Sequence, residues 1–292
     1  MAIVRQSTIG SFGKCSYQLK LGRDYGYRTS IVRVLGTAIH KGMEVYYNDR
    51  KDTGNVPKLT VKDYVEATIQ EFDDEIGKSE SMNWTFQNQT KYKDELILNR
   101  DTSIPMMKEL IEMYHEHKWY YPMDWEIRGV EDSFDILLPD GVHTAHGTMD
   151  LRMIDPRGQL ICADFKTSKD FPTKSKWSAK ETAQASYYTW AGAVMEGVDP
   201  SAIRFFFDVL SWHPKKAGRG KEVDQTARFE RFEESRTNEQ VIATLKHAQI
   251  IGDLMDKDAY APNTQGWWCS QNFCDYWNEC EFGKVYANSS LN

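Results

Sequence analysis

Long apolar segments are missing from this chain. None of its 292 residues falls in a run that approaches the roughly 18 consecutive apolar residues of a membrane-spanning helix. The first residues, M-A-I-V-R-Q-S-T, also lack the basic and then apolar pattern of a secretory signal. The sequence therefore predicts an intracellular, cytoplasmic protein without a membrane partner.

A general excess of basic residues is missing as well. The net charge is −7, which argues against a protein held on nucleic acid by bulk electrostatics. Residues 164–221 nevertheless carry ten Lys and Arg against six Asp and Glu. A basic loop at 214–227 fits two interpretations equally well, a hairpin tip or a segment that contacts phosphates. Its basic residues are Lys215, Lys216, Arg219 and Lys221.

Internal repeats and low-complexity linkers are also absent, and this favours one domain over residues 1–292. Hydrophobic periodicity and punctuation by Gly, Pro and capping residues predict an α/β fold. The predicted helices cover residues 36–48, 60–77, 103–118, 177–197 and 237–257. The predicted strands cover residues 125–138, 149–155, 159–167, 203–212 and 227–233. Residues 8–22 are predicted to form a short helical segment.

Cysteine is sparse, with five residues, but its positions are informative. An odd number of thiols in a cytosolic chain suggests metal ligands rather than disulfides. Cys269, Cys274 and Cys280 lie within twelve residues, and Cys15 is the better fourth ligand because Cys162 is inside the central strand. Four thiolates suit zinc or an iron–sulfur cluster, and their spacing does not decide between the two. Either centre would join the N-terminus to a C-terminal cluster segment, residues 262–292.

The richest stretch is residues 147–169, which reads G-T-M-D-L-R-M-I-D-P-R-G-Q-L-I-C-A-D-F-K-T-S-K. Pro156 to Gly158 predict a three-residue hairpin loop, with Gly158 in the left-handed conformation. If Asp155 pairs with Gln159, paired residue numbers sum to 314. Asp150 then lies opposite Asp164.

Lys166 lies two residues beyond Asp164 on the same face of the strand. Two close carboxylates repel unless a cation or a proton separates them. The hairpin therefore has the composition of a divalent-metal site with a lysine beside it.

Five other residues are ambiguous by themselves. His40 lies one turn into a helix, where a structural histidine is more common than a ligand. Gln184 and Tyr188 share a helix face that could look onto the hairpin. Either Glu126 or Glu131 could add a carboxylate, although solvation is the commoner reason for a Glu in an edge strand.

Taken together and in order, these motifs resemble a RecB-type, AddB-like nuclease of the PD-(D/E)xK superfamily, in the branch that includes phage exonucleases. The matching motifs are S-F-G-K-C with Cys15, G-T-A-I-H with His40, G-T-M-D with Asp150, D-F-K with Asp164 and Lys166, Q-A-S-Y-Y with Gln184 and Tyr188, and the three C-terminal cysteines. They span residues 11–280, which is nearly the whole chain.

The resemblance implies a restriction-endonuclease-like core, in which helices flank a mixed central β-sheet, with a helical insertion at about 50–120. It implies that His40, Asp150, Asp164 and the Phe165 carbonyl hold Mg²⁺ or Mn²⁺, and that Lys166 orients or deprotonates the attacking water. Gln184 and Tyr188 would brace the lysine and the DNA backbone. Cys15, Cys269, Cys274 and Cys280 would hold a [4Fe–4S] cluster, which the resemblance favours over structural Zn²⁺.

The function implied is a metal-dependent DNA exonuclease that acts on single strands or DNA ends in recombination, repair or replication. The chain has no G-x-x-x-x-G-K-[ST] motif, so unwinding would need a helicase or recombination partner. The alternative is a non-catalytic DNA-binding or assembly subunit that keeps the fold and the cluster. A third hypothesis is a zinc-stapled protein with no nuclease role.

Overall fold

The computed structural model describes residues 1–27, 29–78, 82–83, 100–168, 182–214, 225–270, 273–283 and 285. Within these ranges helices flank a mixed sheet, which confirms the α/β prediction. The four basic residues of the 214–227 loop lie outside the described residues, so both interpretations of that loop stay predictions.

The described helices are α1 (Gln6–Cys15), α2 (Tyr17–Tyr25), α3 (Ile31–Asp52), α4 (Val61–Lys78), α5 (Arg100–Glu116), α6 (Thr182–Glu196) and α7 (Asn238–Asp256). The described strands are β1 (Ile3–Arg5), β2 (Thr29–Ser30), β3 (Met82–Asn83), β4 (Glu126–Leu137), β5 (Thr144–Ile154), β6 (Leu160–Ser168), β7 (Arg204–Pro214) and β8 (Gln225–Ser235). The main sheet has the order β1-β5-β6-β7-β8, and β4 also pairs with β5. The β1–β5 and β6–β7 pairs are parallel, while β5–β6 and β7–β8 are antiparallel.

The chain divides into two compact units. The first contains Met1–Arg28, Phe134–Gly147 and Glu239–Asn292, and the second contains Thr29–Ser133 and Thr148–Asn238. The strands β4 and β5 run from one unit into the other. Whether residues 1–292 act as one domain stays a prediction.

The central hairpin has the predicted register. Its four pairs run from Ile154 with Leu160 to Leu151 with Ala163, and every pair sums to 314. Gly158 has a φ of 82°, the left-handed conformation that the loop requires. The Asp155 side chain accepts hydrogen bonds from the N–H groups of residues 157 and 159, which fixes the loop. Local turn chemistry therefore decides which residues share the face of Asp150.

The second unit has its core between the sheet and the helices α3, α4 and α5. Apolar residues along one side of α3 are fully buried, among them Leu35, Ile39 and Met43. The Phe165 side chain joins this core and stacks on Tyr47, so it points away from the face that carries its neighbours Asp164 and Lys166. Burial of Phe165 thus holds the two polar residues on the opposite face.

His115 gives this core a predictable dependence on pH. Its ring stacks on Tyr64 and contacts Tyr46 edge-on, and burial lowers its pKa to about 4. Because the folded pKa is below the unfolded value of about 6.5, the unfolded chain takes up a proton first as the pH falls. We expect wild type to lose about 1 kcal/mol more unfolding free energy than His115→Phe between pH 7.5 and 5.5. Urea titrations followed by tryptophan fluorescence measure this difference, and equal losses would show that His115 does not contribute.

No helix within the described ranges is both long enough and apolar enough to cross a membrane.

Candidate functional site

Asp150 and Asp164 lie just beyond the last pair of the β5–β6 ladder, and both are buried, with 8% and 3% of their surface exposed. The Asp150 carboxylate accepts a hydrogen bond from the backbone N–H of Phe165 at 2.6 Å. This hydrogen bond replaces the next backbone hydrogen bond between β5 and β6, and it holds the Asp150 side chain against residues 164–166. Strand geometry alone therefore assembles the two acids.

His40 reaches the same place from α3. Its Nδ1 lies 3.4 Å from a carboxylate oxygen of Asp150, and its ring packs edge-on against Phe165. The helix approaches β6 closely at Gly36, where an added Cβ would lie 3.3 Å from the Thr167 hydroxyl. A small residue at this point lets α3 carry the imidazole to the acids.

Glu131 completes a group of possible metal ligands. Its carboxylate lies 3.8 Å from His40 Nδ1, and one ligand atom each of His40, Glu131 and Asp150 fall within 4.8 Å of one another. Glu131 has a φ of 46°, a left-handed conformation that is uncommon outside glycine. Sequence reasoning favoured solvation for this residue. The signal that could have placed it is Gly129, because a glycine inside a strand suggests a bulge.

Asp164 lies beside this group and has different partners. Its carboxylate forms an ion pair with Lys166 at 2.6 Å and accepts a hydrogen bond from the Gln184 side-chain amide at 2.7 Å. Tyr188, one turn further along α6, lies within electrostatic range of Asp164 and Asp150. The structure thus brings together every residue that the sequence proposed for this site. The Phe165 N–H group contacts Asp150, and the role of the Phe165 carbonyl as a metal ligand stays a prediction.

The charges of the site are poorly balanced. Burial raises the pKa of Asp164, and the nearby Asp150 raises it further although Lys166 opposes the shift. Burial and Glu131 raise the pKa of Asp150. Burial alone would lower the pKa of His40, but Asp150 and Glu131 outweigh it and raise that pKa to about 9. Three carboxylates against one lysine and one imidazole are a suitable environment for a cation.

A groove of about 550 Å³ opens beside the ligand group, and we call it the α3 groove. His40 and Glu131 lie in its wall, and so does Thr167. Arg33 and Lys41 of α3 also line it, while Glu44 and Glu71 add negative charge. The groove therefore leads from the possible metal ligands along a polar helix face.

The thiols proposed to form a second centre lie within the first unit. Burial raises the pKa of Cys269 and of Cys274, and the charges of Cys15 and Cys280 raise both further. Cys15 and Cys280 are therefore each within electrostatic range of Cys269 and of Cys274. The Ser16 hydroxyl also donates to the Ala261 carbonyl and accepts from its N–H, which holds the end of α1 against the C-terminal segment.

The family model of the PD-(D/E)XK nuclease superfamily matches residues 6–281, and this chain therefore belongs to that superfamily. Among curated protein sequences none matches the chain.

Two solved structures are similar to it at 12% identity. One, from Eubacterium rectale, is provisionally described as an exonuclease; the similarity covers 95% of this chain and 87% of that one, with a TM-score of 0.46. The other is SSO0001, where 91% of this chain and 94% of that one are covered, with a TM-score of 0.35.

Proposed function

We propose that this chain is a metal-dependent DNA exonuclease that hydrolyses phosphodiester bonds at DNA ends or in single strands. The observation that supports the proposal best is the His40, Glu131 and Asp150 group beside the Asp164–Lys166 ion pair. The possible ion site and the Lys166 ammonium group thus lie next to each other, with only the Asp164 side chain between them. A protein that only binds DNA has no need of that combination.

The donor set fits Mg²⁺ or Mn²⁺. Carboxylate oxygens suit both ions, an imidazole suits Mn²⁺, and ligand atoms within 4.8 Å of one another can surround one ion at bonds of about 2.1 Å. Asp150, His40 and Glu131 would hold the ion, with Asp164 and the Phe165 carbonyl as further ligands. When bound, the ion supplies a nucleophile at neutral pH and stabilises charge on the phosphate.

The chain's own residues have distinct tasks. Lys166 is placed by the Asp164 carboxylate, so its ammonium group can orient the attacking water by donating a hydrogen bond. In its neutral amine form the same group could accept the proton of that water. Gln184 donates a hydrogen bond to the other oxygen of the Asp164 carboxylate. This bond fixes the orientation of the carboxylate and therefore the position of the oxygen that pairs with Lys166. Tyr188 lies one turn further along the same face of α6, where it would contact the DNA backbone.

The α3 groove is the proposed path of the DNA backbone. Arg33, Thr37 and Lys41 follow one another at intervals of four residues, so they lie on one face of α3 that phosphates could approach. Lys41 pairs with Glu44 at 2.8 Å, and the Thr37 hydroxyl donates to the Arg33 carbonyl, so a phosphate would compete with these contacts. Glu44 and Glu71 line the same groove and would repel a long run of phosphates. This charge pattern suits a short stretch of backbone next to a chain end, which favours exonuclease over endonuclease action.

A comparison of linear and circular single-stranded DNA tests this proposal. With Mn²⁺ or Mg²⁺ present, we expect 5′- and 3′-labelled linear strands to be shortened from one end and a closed circle of the same sequence to persist. Cleavage of the circle at the same rate would show endonuclease action. No cleavage of either substrate would favour the non-catalytic assembly subunit.

We further propose that Cys15, Cys269, Cys274 and Cys280 hold a [4Fe–4S] cluster that serves as a structural staple. Cys15 and Cys280 each interact electrostatically with Cys269 and Cys274 within one compact unit, and this proximity supports a shared metal centre. The resemblance to iron–sulfur members of the nuclease family favours the cluster over a single zinc ion.

A further inference from the structure

Arg152 is a buried arginine on the site face of β5, two residues from Asp150. Its side chain is 8% exposed, and its guanidinium group donates to two carboxylates. One is Asp132 of β4, and the other is Glu196 at the end of α6. The guanidinium therefore connects the two elements that flank the metal group, and no role assigned above uses it.

The link to β4 explains the backbone at Glu131. Gly129 and Asp132 both lie against Arg152, although they are three residues apart. A regular strand would place residues at that spacing on opposite faces. The positive φ of Glu131 marks the bulge between them, which lets Asp132 reach Arg152 while Glu131 reaches His40.

Gly129 provides the room that this bulge requires. A Cβ at that position would lie 2.5 Å from the Asp132 carboxylate and 3.1 Å from an Arg152 nitrogen. The Asp132 carboxylate thus folds back over Gly129 to meet the guanidinium. Because a left-handed glutamate is unfavourable, a partner for Asp132 is needed to keep Glu131 in that conformation.

The link to α6 concerns the other side of the site. Gln184 and Glu196 lie near opposite ends of α6, twelve residues or about 18 Å apart along its axis. Gln184 contacts Asp164 and Glu196 contacts Arg152, so both ends of the helix are tied to the hairpin. Between them Gly192 lets the helix approach β6, since an added Cβ would lie 2.9 Å from the Cys162 sulfur. The ion pair therefore fixes the far end of the helix that carries Gln184.

We propose that Arg152 is the positioning residue of this site: through Asp132 it holds Glu131 among the metal ligands, and through Glu196 it holds α6 with Gln184 on Asp164. The inference rests on the proposed metal site. We call the ion pair with Asp132 the first arm of Arg152 and the ion pair with Glu196 the second arm. The first arm would determine the affinity for the ion, and the second would determine the rate of DNA cleavage.

Mn²⁺ binding without DNA tests the first arm. A bound ion raises the melting temperature by an amount that grows with the logarithm of its concentration divided by Kd, and a residue that orients a ligand typically contributes about 10-fold to 100-fold in affinity. We expect Arg152→Lys, which lacks the planar fork of the guanidinium, to weaken Mn²⁺ binding at least about tenfold. The matched control is Arg50→Lys, because Arg50 is equally buried and donates to the carbonyls of residues 121 and 122. It should lower the melting temperature without changing Mn²⁺ affinity.

Three further variants separate the arms and keep the test valid if Arg152→Lys does not fold. Asp132→Asn should weaken Mn²⁺ binding, whereas Glu196→Gln should bind Mn²⁺ normally and cleave DNA more slowly at saturating Mn²⁺. In a Glu131→Gln background, Asp132→Asn should have no further effect on affinity. Normal Mn²⁺ affinity in both Arg152→Lys and Asp132→Asn would overturn this inference alone. A wild-type protein that binds no Mn²⁺ would overturn the proposed metal site as well.

Discussion

Replacing Lys166 with alanine is expected to reduce phosphodiester hydrolysis by about 10³-fold while the affinity for DNA stays within a few-fold of wild type. General acid–base groups contribute about 10²-fold to 10⁴-fold, and the Lys166 amine is the cation placed beside the possible ion site. Asp164→Ala should cause a loss at least as large, because it removes the partner of Lys166 and an expected ligand together. Single-turnover digestion of end-labelled DNA at saturating Mn²⁺ measures both.

Lys108→Ala is the matched control for this prediction. Lys108 also pairs with a carboxylate in the second unit, Glu112, but on the exposed surface of α5, so its loss should leave the rate unchanged. Equal activity in wild type, Asp164→Ala and Lys166→Ala would exclude the proposed catalytic site. DNA binding without hydrolysis in all three would support the assembly subunit instead.

The hairpin could be predicted because its determinants are local. Pro156, Gly158 and the loop length fix the register, and the register fixes which residues share a face with Asp150. Helix positions were also predictable from period and punctuation. The observed α4, Val61–Lys78, and α7, Asn238–Asp256, differ from the predicted bounds by one residue at each end.

The other parts of the site depend on tertiary contacts. His40 meets Asp150 because α3 approaches β6 at Gly36, a contact that no local pattern in residues 36–48 encodes. Its placement followed from family resemblance, not from its own surroundings. Glu131 depends on a bulge and on Arg152, neither of which local sequence encodes, so the sequence favoured the commoner reason for a Glu in an edge strand, which is solvation.

Replacing Cys274 with serine is expected to remove the proposed cluster and loosen the first unit. In wild type purified without oxygen we expect about four iron atoms per chain and absorbance near 400 nm. The variant should lose both, and protease should then cleave residues 262–285 at least ten times faster, because structural metal sites contribute several kcal/mol or more to folding. The raised pKa of Cys269 and of Cys274 keeps both as neutral thiols, and they would become thiolates only when a cationic centre binds.

Cys162→Ala is the control that the chain itself provides. Cys162 is a buried thiol in the second unit whose pKa burial raises to about 12, which makes it a poor ligand, so its replacement should leave iron content and absorbance unchanged. A colourless wild-type protein with one zinc per chain would contradict the iron–sulfur cluster, but it would support a structural metal centre at these cysteines. A protein free of metal, with equal protease resistance in wild type and Cys274→Ser, would overturn both, and the ends of the chain would then be held by contacts such as that of Ser16 with Ala261.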